Sequence, residues 1–235
     1  MCSSDLANWN ASIENLEYEF SSAFAQLMNE QKQSVAFLTG QGELNEHEVH
    51  DFAGALAEKY NVFGISTQEL SSNGQRVKTL IIANPSQKFT EADKFRVDQF
   101  LMNGGRILWL INPVAVSLDS LSNGYMTLAF PQNLNLDDQL FRYGVRLNTN
   151  LVQDAQCLLI PVNTAPKGSP AKWTPAPWYY SPLLFPSQNH VISKNIGMLK
   201  SEFVSTIDTV GKGDKVHKTV LLTSSGRSLV SQTPV

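Results

Sequence analysis

The chain has 235 residues, of which 42 % are hydrophobic and 17 % are charged, and its formal net charge is −3. This composition can bury a sizeable core and argues against a chain that is disordered throughout. The near-neutral balance, with no basic stripe along the sequence, argues against nucleic acid or an anionic membrane surface as a partner.

The first predicted element is an amphipathic helix within residues 6–32. Apolar residues recur there every three or four positions, which is the spacing of one helix face; they are Ile13, Leu16, Phe20, Phe24 and Leu27. We expect an N-terminal helical extension over residues 1–33. Packing on the rest of the chain is its favoured role, while pairing with another subunit or continuation toward a membrane anchor stays open.

An α/β pattern begins with the apolar run of residues 34–39, which predicts a strand. A glycine turn follows, and Asn45 then has the signature of a helix N-cap because Glu48 stands three residues later. We predict a helix from this cap to about residue 60 and a second strand over residues 62–66.

The clearest unit of the pattern comes after a turn predicted at Asn73-Gly74. Residues 79–83 and 106–111 are two apolar runs, each closed by Asn-Pro, and between them lies a helical pattern with Thr90 as N-cap and Asp93 in the reciprocal position. Such strands are expected to run parallel, buried on both faces, with a right-handed crossover.

The order strand, helix, strand, strand, helix, strand predicts the α/β class. We expect an open, mostly parallel sheet with helices on both faces, in a flavodoxin-like or amidotransferase-like layout. Beyond Pro113 the pattern weakens into an irregular, loop-rich half, with a short helix near residues 136–143 and one or two strands in residues 152–162. Residues 219–223 are expected to return the chain to the sheet, so that residues 34–235 form a single α/β domain.

Candidate ligand-binding residues stand where strands of an open parallel sheet end, the usual place for a site. They are Gly40, Gln41, Gly42, Glu43, Asn84 and Asn112. A helix N-terminus behind the glycine turn could hold an anion. The turn is not a G-x-G-x-x-G motif, however, and a tight turn without a ligand is the favoured interpretation.

Signals for catalysis or metal binding are weak. His47 and His50 can share a helix face, but their spacing is typical of a solvated polar face, and we predict neither a metal nor a cofactor. No nucleophile stands in a sharp strand-to-helix turn. Ser224-Ser225 is the nearest substitute, and it would require His190 or His217 within hydrogen-bond reach.

A proline-rich aromatic stretch lies between residues 161 and 186, and we predict that it forms a rigid loop. Its aromatic residues are candidates for contact with a partner or a glycan; they are Trp173, Trp178, Tyr179, Tyr180 and Phe185. The alternative, a loop held on its own core by these aromatic side chains, is equally open.

Several longer segments resemble the GldG family of Bacteroidota, the auxiliary extracytoplasmic subunit of a gliding-associated ABC transporter. They read VAFLTGQGELNEHEV, LIIANPSQKFTEADKFRVDQFLMNGGRILWLINPV and LNLDDQLFRYGVRLNTNLVQDAQC, and the resemblance extends over nearly the whole chain. One departure is Asn112, where many relatives have an acidic residue before the proline.

The resemblance implies a periplasmic domain of a protein anchored in the inner membrane by helices outside this sequence. It implies association with ABC permease and ATPase subunits, a role in gliding and its associated secretion, and no established catalytic set. It also implies a fold similar to a non-enzymatic domain of an intraflagellar-transport protein. No apolar run here approaches the roughly 18 residues of a membrane span, so we expect a soluble piece of a longer protein.

We therefore predict a non-catalytic binding or scaffolding domain of an ABC-type complex. Its candidate contact surfaces are the sheet edge, the Gly40–Glu43 loop and the stretch from Trp173 to Pro186. The first alternative is a solute- or sugar-binding module with a ligand above the strand ends, and the second is a degenerate amidotransferase-like hydrolase. The oligomeric state and the transported substrate are not predicted.

Overall fold

The computed structural model describes residues 16, 19–21, 23, 24, 27, 32–116, 127–166, 168–211 and 216–234. The chain divides into two compact units. The first unit comprises Met1–Ala83 and Arg96–Trp109, and the second comprises Asn84–Phe95 and Leu110–Val235.

The first seven helices and strands fall in residues 34–110, with a 3-10 turn at Gly74–Arg76. In chain order they are β1 (Ser34–Thr39), α1 (His50–Ala57), β2 (Asn61–Ser66), α2 (Thr67–Asn73), β3 (Thr79–Ala83), α3 (Glu91–Met102) and β4 (Arg106–Leu110). The four strands form one sheet in the order β2-β1-β3-β4. Strand β1 runs parallel to both β2 and β3.

The core of this sheet is apolar because its central strands are covered on both faces, as parallel strands usually are. Leu80 and Ile82 in β3 have no exposed surface, and Val35, Ile81 and Ala83 form a buried cluster. The edge strand β4 differs from the prediction, since its residues alternate between exposed and half-buried. As an edge strand it has one covered face, so the expectation of burial on both faces was wrong for β4.

The capping residues predicted from the sequence form hydrogen bonds near the starts of α1 and α3. Asn45 Oδ1 accepts from the Glu48 N–H at 3.1 Å, and Glu48 Oε2 accepts from the Asn45 N–H at 2.8 Å, so both bonds of the predicted capping box form. The prediction of Asn45 as the helix N-cap was wrong, because α1 begins at His50 after Val49 and the box caps the turn of residues 46–49. Thr90 and Asp93 exchange the same pair of bonds, at 3.2 and 3.4 Å. Helix α1 is shorter than predicted, because residues 46–49 form turns before it begins.

Helix α2 was not predicted. Its N-cap is Ser66, whose side chain accepts from the Glu69 N–H while Glu69 Oε2 accepts from the Ser66 N–H at 2.9 Å. This capping box stands directly at the end of β2, so a strand and a helix follow each other without a loop. The turn predicted at Asn73-Gly74 is the end of α2 and the start of the 3-10 turn.

In the described part of the second half, the chain forms one helix and ten strands, most of them short. They are β5 (Val114–Ala115), β6 (Phe130–Pro131), α4 (Asp137–Arg142), β7 (Val145–Leu147), β8 (Asn150–Asp154), β9 (Cys157–Asn163), β10 (Trp173–Pro186), β11 (Leu199–Lys200), β12 (Ile207–Thr209), β13 (Leu222–Thr223) and β14 (Ser228–Gln232). These strands pair antiparallel: β5 with β6, β7 with β12, β8 with β14, and β10 with β9, β11 and β13.

Two predictions for this half were wrong. The proline-rich stretch is the long strand β10 and not a loop, and its pairing with β9 makes a hairpin. Strand β13 pairs with β10 and not with the parallel sheet. The core of the second unit is a cluster of Val114, Ala129, Leu151 and Phe203, on which Trp178 and Tyr180 pack.

The α/β class and the parallel sheet are confirmed, and several antiparallel sheets add to them. The placement of helices on both faces stays a prediction, as does the division into residues 1–33 and 34–235. The described residues of the N-terminal helix are helical, but their apolar side chains are 54–80 % exposed, so the favoured packing is not observed for them; they are Leu16, Phe20, Phe24 and Leu27. In the part of the chain that the structure describes, no helix combines the length and apolar character that a bilayer crossing needs.

Candidate functional site

The Gly40–Glu43 loop connects the end of β1 to the capped turn before α1. Gly40 and Gly42 have φ angles of 111° and 68°, a region that favours glycine because it has no Cβ. The loop is held by two hydrogen bonds. The Gln41 N–H donates to Glu43 Oε2 at 2.8 Å, and the Leu44 N–H donates to the carbonyl of Ala83 at the end of β3 at 2.9 Å.

This loop contains buried acceptor oxygens. Gln41 is only 9 % exposed and its Oε1 has no hydrogen-bond partner, and Glu43 Oε1 is likewise buried without one. Burial raises the pKa of Glu43, and hydrogen bonds from the backbone of Glu43, Gln41 and Gly40 offset this only in part. Two acceptor oxygens are therefore enclosed in the loop without a donor, and an ionised Glu43 would repel a phosphate. The Gly40–Glu43 loop as a ligand site stays a prediction.

The two asparagines predicted at strand ends belong to the second unit. Asn84 follows β3 with a φ of 50°, and its N–H donates to the carbonyl of Leu110 at 2.7 Å. Asn112 is exposed. Their proximity to the Gly40–Glu43 loop stays a prediction.

The five aromatic candidates of β10 divide by strand alternation. Trp178 and Tyr180 are half-buried and face inward, with ring centroids 6.3 and 6.2 Å from that of Phe203. Trp173 and Tyr179 point to the other side and are 65 % and 50 % exposed. Phe185 is half-buried opposite Thr223 of β13. Both interpretations of the stretch thus hold for part of it, since two aromatic side chains are held on the core and two are available to a partner.

The outward side of the hairpin is apolar. Pro175 lies directly opposite Pro161, and Pro177 lies opposite Leu159. We call this surface the hairpin face; its exposed residues are Leu159, Pro161, Trp173, Pro175, Pro177 and Tyr179. Contiguous exposed apolar surface on a soluble domain is typical of a docking site.

The serines of the hydrolase alternative make structural hydrogen bonds. Ser225 donates its N–H and Oγ–H to Asp154 at 2.7 and 2.5 Å, and Ser224 Oγ donates to Ser228 Oγ at 3.2 Å. Burial by itself raises the pKa of Asp154, but hydrogen bonds from Ser225, Gln156 and Ala155 outweigh burial and hold the pKa below its usual range. The Ser225–Asp154 contact therefore fixes the turn between β13 and β14 to the end of β8.

The histidines of the hydrolase alternative form hydrogen bonds with residues other than these serines. His190 Nδ1 accepts from the Ile192 N–H at 3.2 Å, and His217 Nε2 contacts Thr219 Oγ1 at 3.3 Å. None of the hydrogen bonds of the described residues joins Ser224 or Ser225 to a histidine. Among the described residues, neither serine is therefore paired with the histidine base that the hydrolase alternative requires.

His47 and His50 are both exposed, and the His47 N–H donates to Asn45 Oδ1 at 3.0 Å as part of the turn before α1. Across the described ranges, no three or more His, Cys, Asp or Glu side chains come together as a group that could hold a metal ion.

A cavity of about 640 Å³ in the second unit was not predicted from the sequence. It is lined by Asp137, Phe141, Arg146, Leu147, Asn148, Thr149, Asn150 and Gln232. These residues come from α4, from β7, β8 and the connection between them, and from β14. No local motif links such distant positions, although the Asp137 and Phe141 spacing of four residues does place both on one side of a helix.

Comparison with known proteins identifies one family. A family model described as "ABC-type uncharacterized transport system" matches residues 32–235. No curated protein matches the chain. Among solved structures, the chain is similar to the "mmIFT52 N-terminal domain", with a TM-score of 0.53, 17 % identity, and coverage of 86 % of this chain and 77 % of that one. At this identity the likeness concerns the fold alone.

Proposed function

Because the chain belongs to the family described as ABC-type uncharacterized transport system, we propose that it is a non-catalytic binding or scaffolding domain of an ABC transporter auxiliary subunit. The family membership supports association with transporter components. The segment resemblance to GldG supports the finer proposal of a periplasmic domain, anchored to the inner membrane by segments outside this sequence, that serves gliding motility and its associated secretion. Its partners in this proposal are the permease and ATPase subunits.

The observation that carries the proposal is the hairpin face. A strand pair that served only the core would be expected to have polar residues on its outward side, because antiparallel sheets usually alternate apolar and polar residues. Here the outward positions of β9 and β10 hold prolines, a leucine and two aromatic side chains, with Asn163 opposite Trp173 as a polar residue at the loop end. Proline limits backbone freedom, so such a surface loses little conformational entropy when it docks.

The inward residues of the same hairpin make the face rigid. Trp178 packs on Tyr180 and Phe203, with ring centroids 5.7 and 6.3 Å away. The outward side chains Trp173 and Tyr179 are therefore presented from a fixed support. Large aromatic side chains on a rigid support are typical anchors of protein interfaces.

The non-catalytic part of the proposal is supported by the hydrogen bonds of Ser224 and Ser225, which go to Ser228 and Asp154 and not to a histidine.

The solute-binding alternative has one observation in its favour, namely the polar cavity of the second unit.

The experiment is copurification of the membrane-anchored, full-length protein with its permease and ATPase subunits. We expect the double variant Trp173→Ala/Tyr179→Ala to recover at least about tenfold less of these subunits, because truncating an interface anchor costs about 2 kcal/mol or more. The matched control is Val191→Ala/Ile192→Ala, which removes two apolar side chains that are 93 % and 65 % exposed outside the hairpin face. Equal recovery with all three proteins would show that the hairpin face is not the contact.

A further inference from the structure

The cavity of the second unit has walls that are fixed by hydrogen bonds. Asn150 is buried, donates from Nδ2 to Thr206 Oγ1 at 2.9 Å, and accepts at Oδ1 from the Thr206 N–H at 3.0 Å. Asn148 donates from Nδ2 to Thr206 Oγ1 and to Asp208 Oδ2, both at 2.9 Å. These contacts join the β7–β8 connection to the segment before β12, so the cavity has a pre-formed floor.

Two opposite charges line this cavity without a partner. Within the described ranges, the side chains of Arg146 and Asp137 form no hydrogen bond and no ion pair, although both line the same cavity. Arg146 lies across from Asp208 in the β7–β12 register, but the Asp208 carboxylate accepts from Asn148 instead. The guanidinium and the Asp137 carboxylate thus keep their full hydrogen-bonding capacity.

The remaining lining groups supply apolar contacts, from Phe141 and Leu147, and several polar ones. Phe141 stands one helical turn after Asp137 and is 57 % exposed. Asn148 Oδ1 is left as an acceptor, because the hydrogen bonds of this side chain use its Nδ2. Gln232 of β14 brings a donor and an acceptor to the same cavity.

The charges of Arg146 and Asp137 favour some classes of ligand over others. A simple anion would bind Arg146 but be repelled by Asp137, and a simple cation would meet the reverse arrangement. A neutral sugar could use the amides and the Phe141 ring, but it would leave both charges without an ionic partner. A ligand that carries a carboxylate and an ammonium group matches both.

We propose that this cavity binds a small dipolar ligand of the α-amino acid or peptide-terminus class. The ligand carboxylate pairs with the Arg146 guanidinium, which can bind both oxygens at once. The ligand ammonium donates to Asp137 and Asn148 Oδ1, and the ligand side chain lies against Phe141. This inference goes beyond the proposed scaffold function, because it adds a small-molecule site away from the hairpin face.

The test is isothermal titration of the chain with the free L-α-amino acids and with triglycine. We expect at least one of them to bind with a Kd of about 1 mM or tighter, as a pre-formed site for so small a ligand allows. We expect Arg146→Gln and Asp137→Asn each to weaken binding by about 10- to 100-fold, the effect of losing a charged hydrogen bond. The matched control is Arg142→Gln, an exposed arginine of α4 that does not line the cavity.

Modified ligands separate the two contacts. The N-acetyl derivative of the best amino acid lacks the ammonium group, so Asp137→Asn should not weaken its binding further. The amide derivative lacks the carboxylate, so Arg146→Gln should not weaken its binding further. Such coupling identifies direct partners, which a general loss of structure would not reproduce.

Two results would overturn the inference. One is that neither any amino acid nor triglycine binds at a ligand concentration of about 5 mM, which exceeds the Kd expected of such a site. The other is binding of a neutral sugar such as maltose with an affinity that Arg146→Gln leaves unchanged. Since the titration uses no transporter subunit, failure here is distinguishable from failure of the copurification with permease and ATPase.

Discussion

The two oxygens of the Glu43 carboxylate have different surroundings. Its Oε2 accepts the Gln41 N–H at 2.8 Å and so fixes the loop after β1, while its Oε1 is buried without a partner. Burial favours the neutral acid, and this raises the pKa above its ordinary value of 4.5. The unfolded chain, by contrast, exposes the carboxylate to water. The proton is therefore held more tightly by the folded state than by the unfolded one.

This difference predicts the pH dependence of Glu43→Gln. In the parent, the stability gained by protonating Glu43 is fully present below the unfolded pKa and is lost as the pH rises through the higher folded pKa. Glutamine keeps an acceptor for the Gln41 N–H but has no such loss. We expect the free energy of unfolding of the variant, relative to the parent, to rise between pH 4 and pH 7 in urea titrations.

Glu46→Gln is the control, because Glu46 is an exposed neighbour in the same segment. A Glu43→Gln difference that stays constant across this pH range, or falls toward pH 7, would contradict the burial of the charged oxygen.

Among the helices and strands, those with a local sequence signal were easier to predict than those that form through long-range pairing. The capping box at Thr90 marks the start of α3, and the box at Asn45 marks the turn before α1, because a cap and its reciprocal partner are only three residues apart. Strand β10 was missed because its prolines indicate a loop. The available signal was the alternation of Ala176, Trp178 and Tyr180 with Pro175, Pro177 and Tyr179, and in the structure the first three are half-buried and the last three exposed.

The hairpin is predicted to depend on its inward aromatic side chain. Replacing Trp178 by alanine removes the ring that packs on Tyr180 and Phe203. We expect a loss of about 2–4 kcal/mol in the free energy of unfolding, somewhat below the usual cost of truncating a fully buried tryptophan. Chemical unfolding followed by circular dichroism measures this loss without relying on tryptophan fluorescence.

Tyr179→Ala serves as the matched variant, because Tyr179 is adjacent in sequence but points outward. It should cost less than about 1 kcal/mol. Equal losses for Trp178→Ala and Tyr179→Ala would be inconsistent with the assigned sides of the hairpin.

For the whole molecule, the sequence revealed the α/β class and the parallel strands, because each strand, turn and helix has its own short signal. It did not reveal the antiparallel pairing of the second unit, where β8 pairs with β14 across more than 70 positions in the sequence. The same reason hid the cavity, since Asp137, Arg146 and Gln232 come together only in the folded chain. The Gly40–Glu43 loop was found because a glycine turn after a strand is visible locally.

The N-terminal extension provides a prediction for the molecule as a whole. Its described apolar residues are exposed, and the family match begins at residue 32. We expect a protein of residues 32–235 to unfold thermally within about 2 °C of the full chain, because a change of 1 kcal/mol moves the midpoint by only a few degrees in a domain of this size. A drop of more than about 5 °C would show that the extension packs on the remainder and stabilises it.

The prolines of the hairpin also determine how another chain can approach it. The Thr164 N–H donates to the Lys172 carbonyl at 2.8 Å, so by antiparallel alternation the Pro161–Pro175 pair is a non-hydrogen-bonded pair. The nitrogens of Pro161, Pro175 and Pro177 therefore point toward the outer edges of the two strands, where they offer no N–H. An incoming strand therefore meets a hydrogen-bond ladder that is interrupted at these three positions. The hairpin face can remain exposed while the edges of the two strands disfavour pairing with further strands. A partner would therefore contact the side chains of the hairpin face and not its backbone.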